Sequence, residues 1–148
     1  MKLASLAFIA VGAVMITGCA TETQSRVEPT MASNYSAATQ PTSPVRVNAD
    51  EFNSVIKDPN VIILDVRTPA EFAQGHIEDA VNLDVSVIDD FALQIGLLDQ
   101  SKTYAVYCRS GNRSQVAVNT MFSRGINGIY ELESGILGWE ESGYPVTE

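Results

Sequence analysis

The sequence contains little of what metal sites and nucleic-acid sites require. Among 148 residues there are two cysteines, one histidine and one tryptophan, and 9 basic side chains stand against 18 acidic ones, for a formal net charge of −9. One histidine and one free cysteine cannot supply the ligands of a zinc site, so we expect no metal and no cofactor. The acidic balance argues against a nucleic-acid partner and against electrostatic adhesion to anionic lipid.

Long hydrophobic stretches are also scarce, and the most extended one lies near the start of the chain. It runs over the 14 residues from Leu3 to Ile16, whereas a membrane-spanning helix needs roughly 20 residues. A short apolar stretch that follows a basic residue, here Lys2, is typical of a signal peptide. We therefore predict a signal peptide over residues 1–18, with an uncleaved anchor as the alternative.

The predicted signal peptide leads to Ile16-Thr-Gly-Cys19, which resembles a bacterial lipobox. The resemblance implies cleavage before Cys19 and acylation of that cysteine, and more than one acyl chain anchors a protein stably. It further implies an exported protein on the periplasmic side of the cell envelope. Because Ala20 is not aspartate, the resemblance implies the outer membrane in a Gram-negative cell. An ordinary signal peptide with a chance cysteine is the alternative.

Two segments of different composition follow. Residues 19–44 are rich in Thr, Ser, Ala, Gln and Pro without apolar periodicity, which predicts a flexible tether. Residues 45–148 carry the apolar runs and are numerous enough for one compact domain.

Within this domain, apolar runs alternate with helix signals. Asn48 followed by Glu51, and Thr68 followed by Pro69 and Glu71, are typical helix starts. The alternation predicts an α/β fold in which a mainly parallel sheet has helices on both faces. The predicted strands are 61–64, 80–83, 103–107 and 129–132, and the predicted helices run over about 49–56, 69–75, 87–98, 114–123 and 136–140.

Cys108 ends the third of these strands and precedes a short polar loop that contains Arg109, Gly111 and Arg113. The thiolate is the reactive form of cysteine, and a helix N-terminus with adjacent cations lowers the thiol pKa below its free value of about 8.5. Successive loop amides can also cradle an anion. Ligands of parallel sheets bind beyond the carboxyl ends of the strands, where Cys108 lies. We predict that Cys108 is a nucleophile, and a cysteine that only packs is the alternative.

Four ordered motifs resemble those of single-domain rhodaneses, which are thiosulfate sulfurtransferases. They extend over essentially the whole predicted domain, and the resemblance implies a rhodanese-like fold with a central five-stranded sheet. Two turns depart from the family pattern: Glu78-Asp79 stands where Pro-Gly is usual, and Ser134-Gly135 where two glycines are common. The motifs are Leu64-Asp-Val-Arg67, Glu71-Phe72 leading to Gly75-His-Ile77, Cys108-Arg-Ser-Gly-Asn-Arg-Ser114, and Gly135-Ile-Leu-Gly-Trp139 with Gly143-Tyr-Pro-Val146.

The resemblance implies transfer of sulfane sulfur through a persulfide on Cys108. The donor would be thiosulfate, a persulfide or a polysulfide, and the acceptor cyanide, a thiol or a protein sulfur acceptor. The loop is expected to bind the donor and the persulfide through its backbone amides and its two arginines. The residues assigned to this binding are Arg109, Ser110, Gly111, Asn112, Arg113 and Ser114.

Supporting roles are expected for three residues outside the loop. Asp65 and Arg67 are expected to brace the loop through hydrogen bonds, and His76 is expected to be structural. A salt bridge that merely holds the loop is the alternative role for Arg113. Trp139 is expected in the core rather than as a binding platform.

Two other classes of function remain open from the sequence. One is a lipid-anchored persulfide carrier, or a redox-sensing binding module, without turnover. The other comprises the phosphatases and arsenate reductases that share the fold. Their loop has five residues between cysteine and arginine, whereas four separate Cys108 from Arg113.

Overall fold

The computed structural model describes residues 40–148, which contain five strands and five helices. The strands are β1 (Val45–Val47), β2 (Val61–Asp65), β3 (Val81–Asn82), β4 (Thr103–Tyr107) and β5 (Ile129–Leu132). The helices are α1 (Ala49–Val55), α2 (Pro69–Phe72), α3 (Ile88–Ile95), α4 (Asn112–Ser123) and α5 (Gly135–Glu141).

The strands form one sheet in the order β1-β5-β4-β2-β3, and every neighbouring pair is parallel. β4 is central and all five of its residues are buried. Its side chains alternate between two hydrophobic clusters, with Tyr104 and Val106 in one and Ala105 and Tyr107 in the other, as the period of two in a strand requires. The sheet is therefore covered on both faces, and the predicted α/β fold is confirmed.

Helix capping explains where two helices begin. Asn48 and Glu51 form a capping box at α1, and Thr68 and Glu71 form one at α2. In each box the side chain of the capping residue accepts from a backbone amide that the helix leaves unpaired, and the glutamate accepts in return. Both predicted helix starts are confirmed.

The boundaries differ from the prediction in several places. α2 ends at Phe72 rather than near Gly75, α3 ends at Ile95 rather than Leu98, α4 begins at Asn112 rather than Ser114, and β3 spans two residues rather than four. β1 was not among the individually predicted strands. Its three residues are too few to show a period, and pairing with β5 makes the segment a strand.

The predicted signal peptide, residues 1–18, and Cys19 lie outside the described residues, as does most of the predicted tether. Residues 40–44 form neither helix nor strand, and the Gln40 side chain donates a hydrogen bond to the Ser101 carbonyl. Within residues 40–148, no helix has the length and apolarity needed to cross a bilayer.

Candidate active site

The loop after β4 turns the chain sharply so that α4 begins four residues beyond Cys108. Gly111, which precedes α4, has a φ of 86°. A Cβ at that position would lie 2.0 Å from the Glu133 carbonyl oxygen. Only glycine meets both conditions without a clash, so this tight turn requires Gly111.

Polar groups surround the Cys108 sulfur. The Gly111 amide donates to Sγ at 3.2 Å, and the thiol donates to the Ser114 hydroxyl oxygen at 3.6 Å. Burial acts to raise the pKa of the Cys108 thiol, but hydrogen bonds from the Ser114 side chain and from the amides of Ser114, Ser110 and Gly111 outweigh it. The pKa therefore lies below its ordinary value, and the site favours a sulfur anion.

Cys108 itself is only 1% exposed. The sulfur lies at the floor of the loop, and its residue belongs to one of the two hydrophobic clusters. A reactant must therefore reach into the loop with a narrow terminal atom.

The start of α5 is hydrogen-bonded to the backbone of this loop. The amides of Ile136 and Leu137 donate to the carbonyls of Cys108 and Arg109 at 2.8 and 3.2 Å. Gly135 has a φ of 61°, and a Cβ there would lie 2.4 Å from the Arg109 carbonyl carbon. The sequence analysis did not find this contact. The sequence held one signal for it, since glycine is an unfavourable residue at the start of a helix such as α5 unless the backbone needs it.

Arg113 is held by an ion pair. Its guanidinium donates two hydrogen bonds to Glu71, at 2.7 and 2.6 Å. The hydrogen bonds from Arg113 lower the pKa of Glu71 to about 2, against burial, and Thr68 contributes in the same direction. This geometry matches the alternative role considered for Arg113, a salt bridge that fixes the loop.

The Arg109 side chain, by contrast, is exposed and has no hydrogen-bond or ion-pair partner among residues 40–148. It lines a shallow cavity of about 200 Å³ together with Arg67, Glu71, Leu137 and Glu140, and Cys108 is not among the lining residues. Arg67 and Glu71 already have partners of opposite charge. Of the two arginines in this cavity, Arg109 is thus the one available to an incoming anion.

Ser110 and Asn112 are exposed, and only Ser110 lies in the loop as predicted. Ser110 acts on the sulfur through its backbone amide. Asn112 is the first residue of α4.

Asp65 and Arg67 form a buried pair at the end of β2. The Arg67 guanidinium donates to both carboxylate oxygens of Asp65, at 2.6 to 3.0 Å, and to the Gly75 carbonyl at 2.7 Å. The Asn82 amide donates to the carbonyls of both residues. These bonds brace the connection from β2 to α2. Among the described residues, neither side chain hydrogen-bonds to the Cys108 loop, which lies beside this connection because β2 pairs with β4, so the expected bracing of the loop is indirect.

The contacts of His76 are with residues other than Cys108. Its Nδ1 is 3.1 Å from the Phe72 carbonyl oxygen, its ring stacks on Phe72, and its backbone pairs with Thr147. Trp139 is buried, packs edge-on against Phe52 and donates to the Pro145 carbonyl. The expectation that Trp139 belongs to the core is confirmed.

One residue at the site was missed by the sequence analysis. Glu131 on β5 is 2% exposed, and its Oε1 accepts a hydrogen bond from the Ser114 hydroxyl at 2.7 Å. Its Oε2 lies 3.2 Å from Arg46 Nε. An acidic residue in a short strand is usually taken to face solvent, so composition gave no signal for its burial.

Known proteins with similar sequences share this architecture. Residues 48–142 match the family described as Rhodanese-like domain. A Thermoplasma volcanium rhodanese-related protein of known structure is 37% identical with a TM-score of 0.61, and the match covers 70% of this chain and 97% of that one.

Curated relatives have more varied names. An uncharacterized Synechocystis protein is 40% identical over 88 residues, 60% of this chain and 48% of that protein. A sulfurtransferase of Allochromatium vinosum is 34% identical over 87 residues, 59% of this chain and 78% of that protein. A tRNA uridine(34) hydroxylase of Legionella pneumophila is 33% identical over 99 residues, 65% of this chain but only 39% of that protein. The matched region thus spans less than half of two of these relatives.

Proposed function

Because the chain belongs to the rhodanese-like domain family, we propose that it is a sulfurtransferase that carries sulfane sulfur on Cys108. The donor is thiosulfate, or a persulfide or polysulfide, and the acceptor is cyanide or a thiol. The observation that carries the proposal is the set of backbone amides around Cys108 Sγ, of which the Gly111 amide donates to the sulfur at 3.2 Å. Such donors stabilise an anionic sulfur in a site with little water.

In the first step the Cys108 thiolate attacks the outer sulfur of thiosulfate. A bond forms between Sγ and that sulfur, the sulfur–sulfur bond of the donor breaks, and sulfite leaves with the bonding electron pair. The product is a persulfide anion on Cys108. This is covalent catalysis by an activated nucleophile.

In the second step the acceptor removes the outer sulfur. Cyanide or a thiolate attacks that atom, the bond to Sγ breaks, and the electron pair returns to Cys108. The amides of Ser110 and Gly111 then stabilise the thiolate that is regenerated on Sγ.

Arg109 is the residue we assign to attraction of the donor. Its side chain is exposed, lines the cavity beside the Cys108 loop and has no partner within residues 40–148. Arginine presents a planar set of donors and a permanent charge, which suits a dianion with several oxygens. Arg113 instead maintains the loop through Glu71.

The burial of Cys108 restricts which donors can react. At 1% exposure, the sulfur can be reached by an unsubstituted terminal sulfur but not by a branched group. Thiosulfate, hydropersulfides and polysulfides all end in such an atom. We expect bulky thiol reagents to react slowly.

Steady-state turnover tests the proposal. The protein should convert thiosulfate and cyanide to thiocyanate and sulfite over many cycles, and Cys108→Ser should abolish the reaction. Ser123→Ala, at the far end of α4, serves as a matched control and should keep full activity. Thiocyanate formation that survives in Cys108→Ser would contradict the proposal.

A persulfide carrier is the second candidate, favoured by the same burial of Cys108, since a shielded persulfide is protected from chance acceptors. A carrier would load one sulfur and pass it once to a protein acceptor. Multiple turnovers with a small thiol would exclude this role, whereas a single stoichiometric transfer would favour it.

We also propose that Cys19 is acylated and anchors the protein to the cell envelope. The proposal rests on the lipobox-like sequence before Cys19. In a bacterial host, the protein should fractionate with membranes, and Cys19→Ala should release it to the soluble fraction. Membrane association unchanged in Cys19→Ala would contradict acylation at this site.

A further inference from the structure

Glu131 is a buried carboxylate connected to the Cys108 sulfur through one hydroxyl. The thiol of Cys108 lies 3.6 Å from Ser114 Oγ, and that hydroxyl donates to Glu131 Oε1 at 2.7 Å. Ser114 is fully buried and Glu131 is 2% exposed. The three groups thus form a continuous hydrogen-bonded chain in which each donor faces the next acceptor.

A carboxylate in this position is costly to keep ionised. Glu131 is paired in the sheet with both Arg46 on β1 and Val106 on β4, so it lies between strands that are themselves buried in part or whole. Burying a charge is unfavourable unless it is well paired. Its only ion-pair partner among the described residues is Arg46, whose side chain is about half exposed and thus partly screened.

Burial favours the protonated form of Glu131. It raises the pKa of Glu131 above its ordinary value, and the nearby Glu133 acts in the same direction. The hydrogen bond from Ser114 and the charge of Arg46 oppose this shift but do not cancel it. The pKa of Cys108 is shifted downward, so the two shifts narrow the difference between the two pKa values.

We propose that Glu131 is the proton acceptor of the Cys108 thiol, acting through the hydroxyl of Ser114. The S–H bond of Cys108 breaks as its proton passes to Ser114 Oγ, while the proton of that hydroxyl passes to Glu131 Oε1. The products are a thiolate, an intact serine hydroxyl and a carboxylic acid. No oxidation occurs, and the proton count is unchanged. The role rests on the proposed function, because a thiolate matters only if Cys108 reacts.

This transfer solves an electrostatic difficulty of the buried site. A thiolate beside an ionised Glu131 would place two negative charges close together away from water. Moving the proton internally keeps the charge of the pair at minus one, so the negative charge moves to the sulfur without a second anion. Because Glu131 acts through Ser114, it is a positioning residue and does not contact the donor.

The experiment is carbon-13 NMR of the side-chain carboxyl of Glu131 across pH, with thiolate absorbance of Cys108 recorded on the same samples. We expect Glu131 to carry its proton at pH values where Cys108 is already a thiolate. In Cys108→Ser, where no thiolate forms, Glu131 should lose its proton at least about one pH unit lower, as strongly coupled sites do. A Glu131 carboxyl that is ionised throughout the thiolate range would overturn the proposal.

Matched residues make the result specific. The carboxyl signal that is missing in Glu131→Gln is assigned to Glu131. If that variant fails to fold, the carboxyl signal that shifts in Cys108→Ser is taken as Glu131, and it should also shift in Ser114→Ala. Glu133, two residues along and exposed, is the internal control, and its signal should respond to Cys108→Ser much less than that of Glu131. Equal responses of the two glutamates would overturn the proposal, since a field effect alone would then suffice.

The measurement is made without any sulfur donor, so it separates the two proposals. A protein that forms the persulfide with Glu131 always ionised retains the proposed function and lacks the relay. A protein with protonated Glu131 that never forms a persulfide retains the relay and lacks the proposed function. If the role of Glu131 were purely structural, Glu131→Gln would lower folding stability, and the protonation of Glu131 would not depend on Cys108.

Discussion

The guanidinium of Arg113 and the carboxylate of Glu71 form two parallel hydrogen bonds, at 2.6 and 2.7 Å, that tie the first turn of α4 to α2. Glu71 also completes the capping box of α2 through Thr68. One carboxylate thus positions both the helix that follows the Cys108 loop and the helix that follows Arg67. The contact fixes the loop without placing Arg113 on the substrate.

The ion pair predicts an acid-sensitive contribution to stability. Hydrogen bonds from Arg113 lower the pKa of Glu71 from 4.5 to about 2 in the folded protein. When the pKa of an acidic group is lower in the folded protein than in the unfolded protein, its full contribution to stability is present above the pKa of the unfolded protein. The contribution is lost as pH falls toward the pKa of the folded protein. We expect the wild type to lose more thermal stability than Glu71→Gln between those two pH values. Equal losses in thermal unfolding of the two proteins would contradict this role.

The contact of Gly135 with the loop predicts that substitution there lowers activity as well as stability. Gly135→Ala and Gly143→Ala both place a side chain at positive φ, which costs roughly 1–2 kcal/mol. Only at Gly135 would the new Cβ meet the loop, 2.4 Å from the Arg109 carbonyl carbon, whereas nothing lies within 4 Å at Gly143. Both variants should lose stability, and Gly135→Ala alone should lose most of its sulfur-transfer rate. Similar rates in the two variants would show that the loop tolerates displacement.

Arg109 predicts a change in donor binding. Because its side chain has no partner among the described residues, Arg109→Ala should leave the unfolding temperature unchanged. A charge-assisted hydrogen bond is worth about 1.5–3 kcal/mol, so the KM for thiosulfate should rise about tenfold or more. Arg109→Lys should recover part of the affinity. Arg124→Ala, an exposed arginine at the far end of α4, is the control, and an equal rise in KM there would indicate general charge rather than a specific contact.

Asp79 predicts a gain in stability. It has a φ of 63° and is exposed, at the turn where rhodaneses usually have glycine. Asp79→Gly should stabilise by about 0.5–1 kcal/mol because glycine adopts this conformation without strain. Asp79→Ala should not stabilise, since alanine retains the steric cost. Chemical denaturation of the three proteins measures the difference, and destabilisation by glycine would show that the Asp79 side chain makes a useful contact.

The fold class was predictable because its signals are local. Alternating apolar runs and capping residues such as Asn48 and Thr68 act within a few residues, and both caps form as expected. The unusual Ser134 is tolerated for a similarly local reason. Its φ is −92°, and only Gly135 after it takes the positive φ that glycine favours.

Tertiary contacts were not predictable in the same way. The burial of Glu131 depends on β1 pairing with β5, and β1 gives no periodic signal of its own. The pairing of Arg113 with Glu71 joins residues 42 positions apart. Residue type identified Cys108 as the candidate nucleophile, whereas the carboxylates that support its loop became visible only once the strands were ordered.

Intact-protein mass after treatment with thiosulfate tests the central claim most directly. The account predicts a gain of one sulfur atom on the wild type, removed by cyanide or a thiol, and no gain on Cys108→Ser. A wild-type protein whose mass does not change, although Cys108 is reduced, would contradict the account.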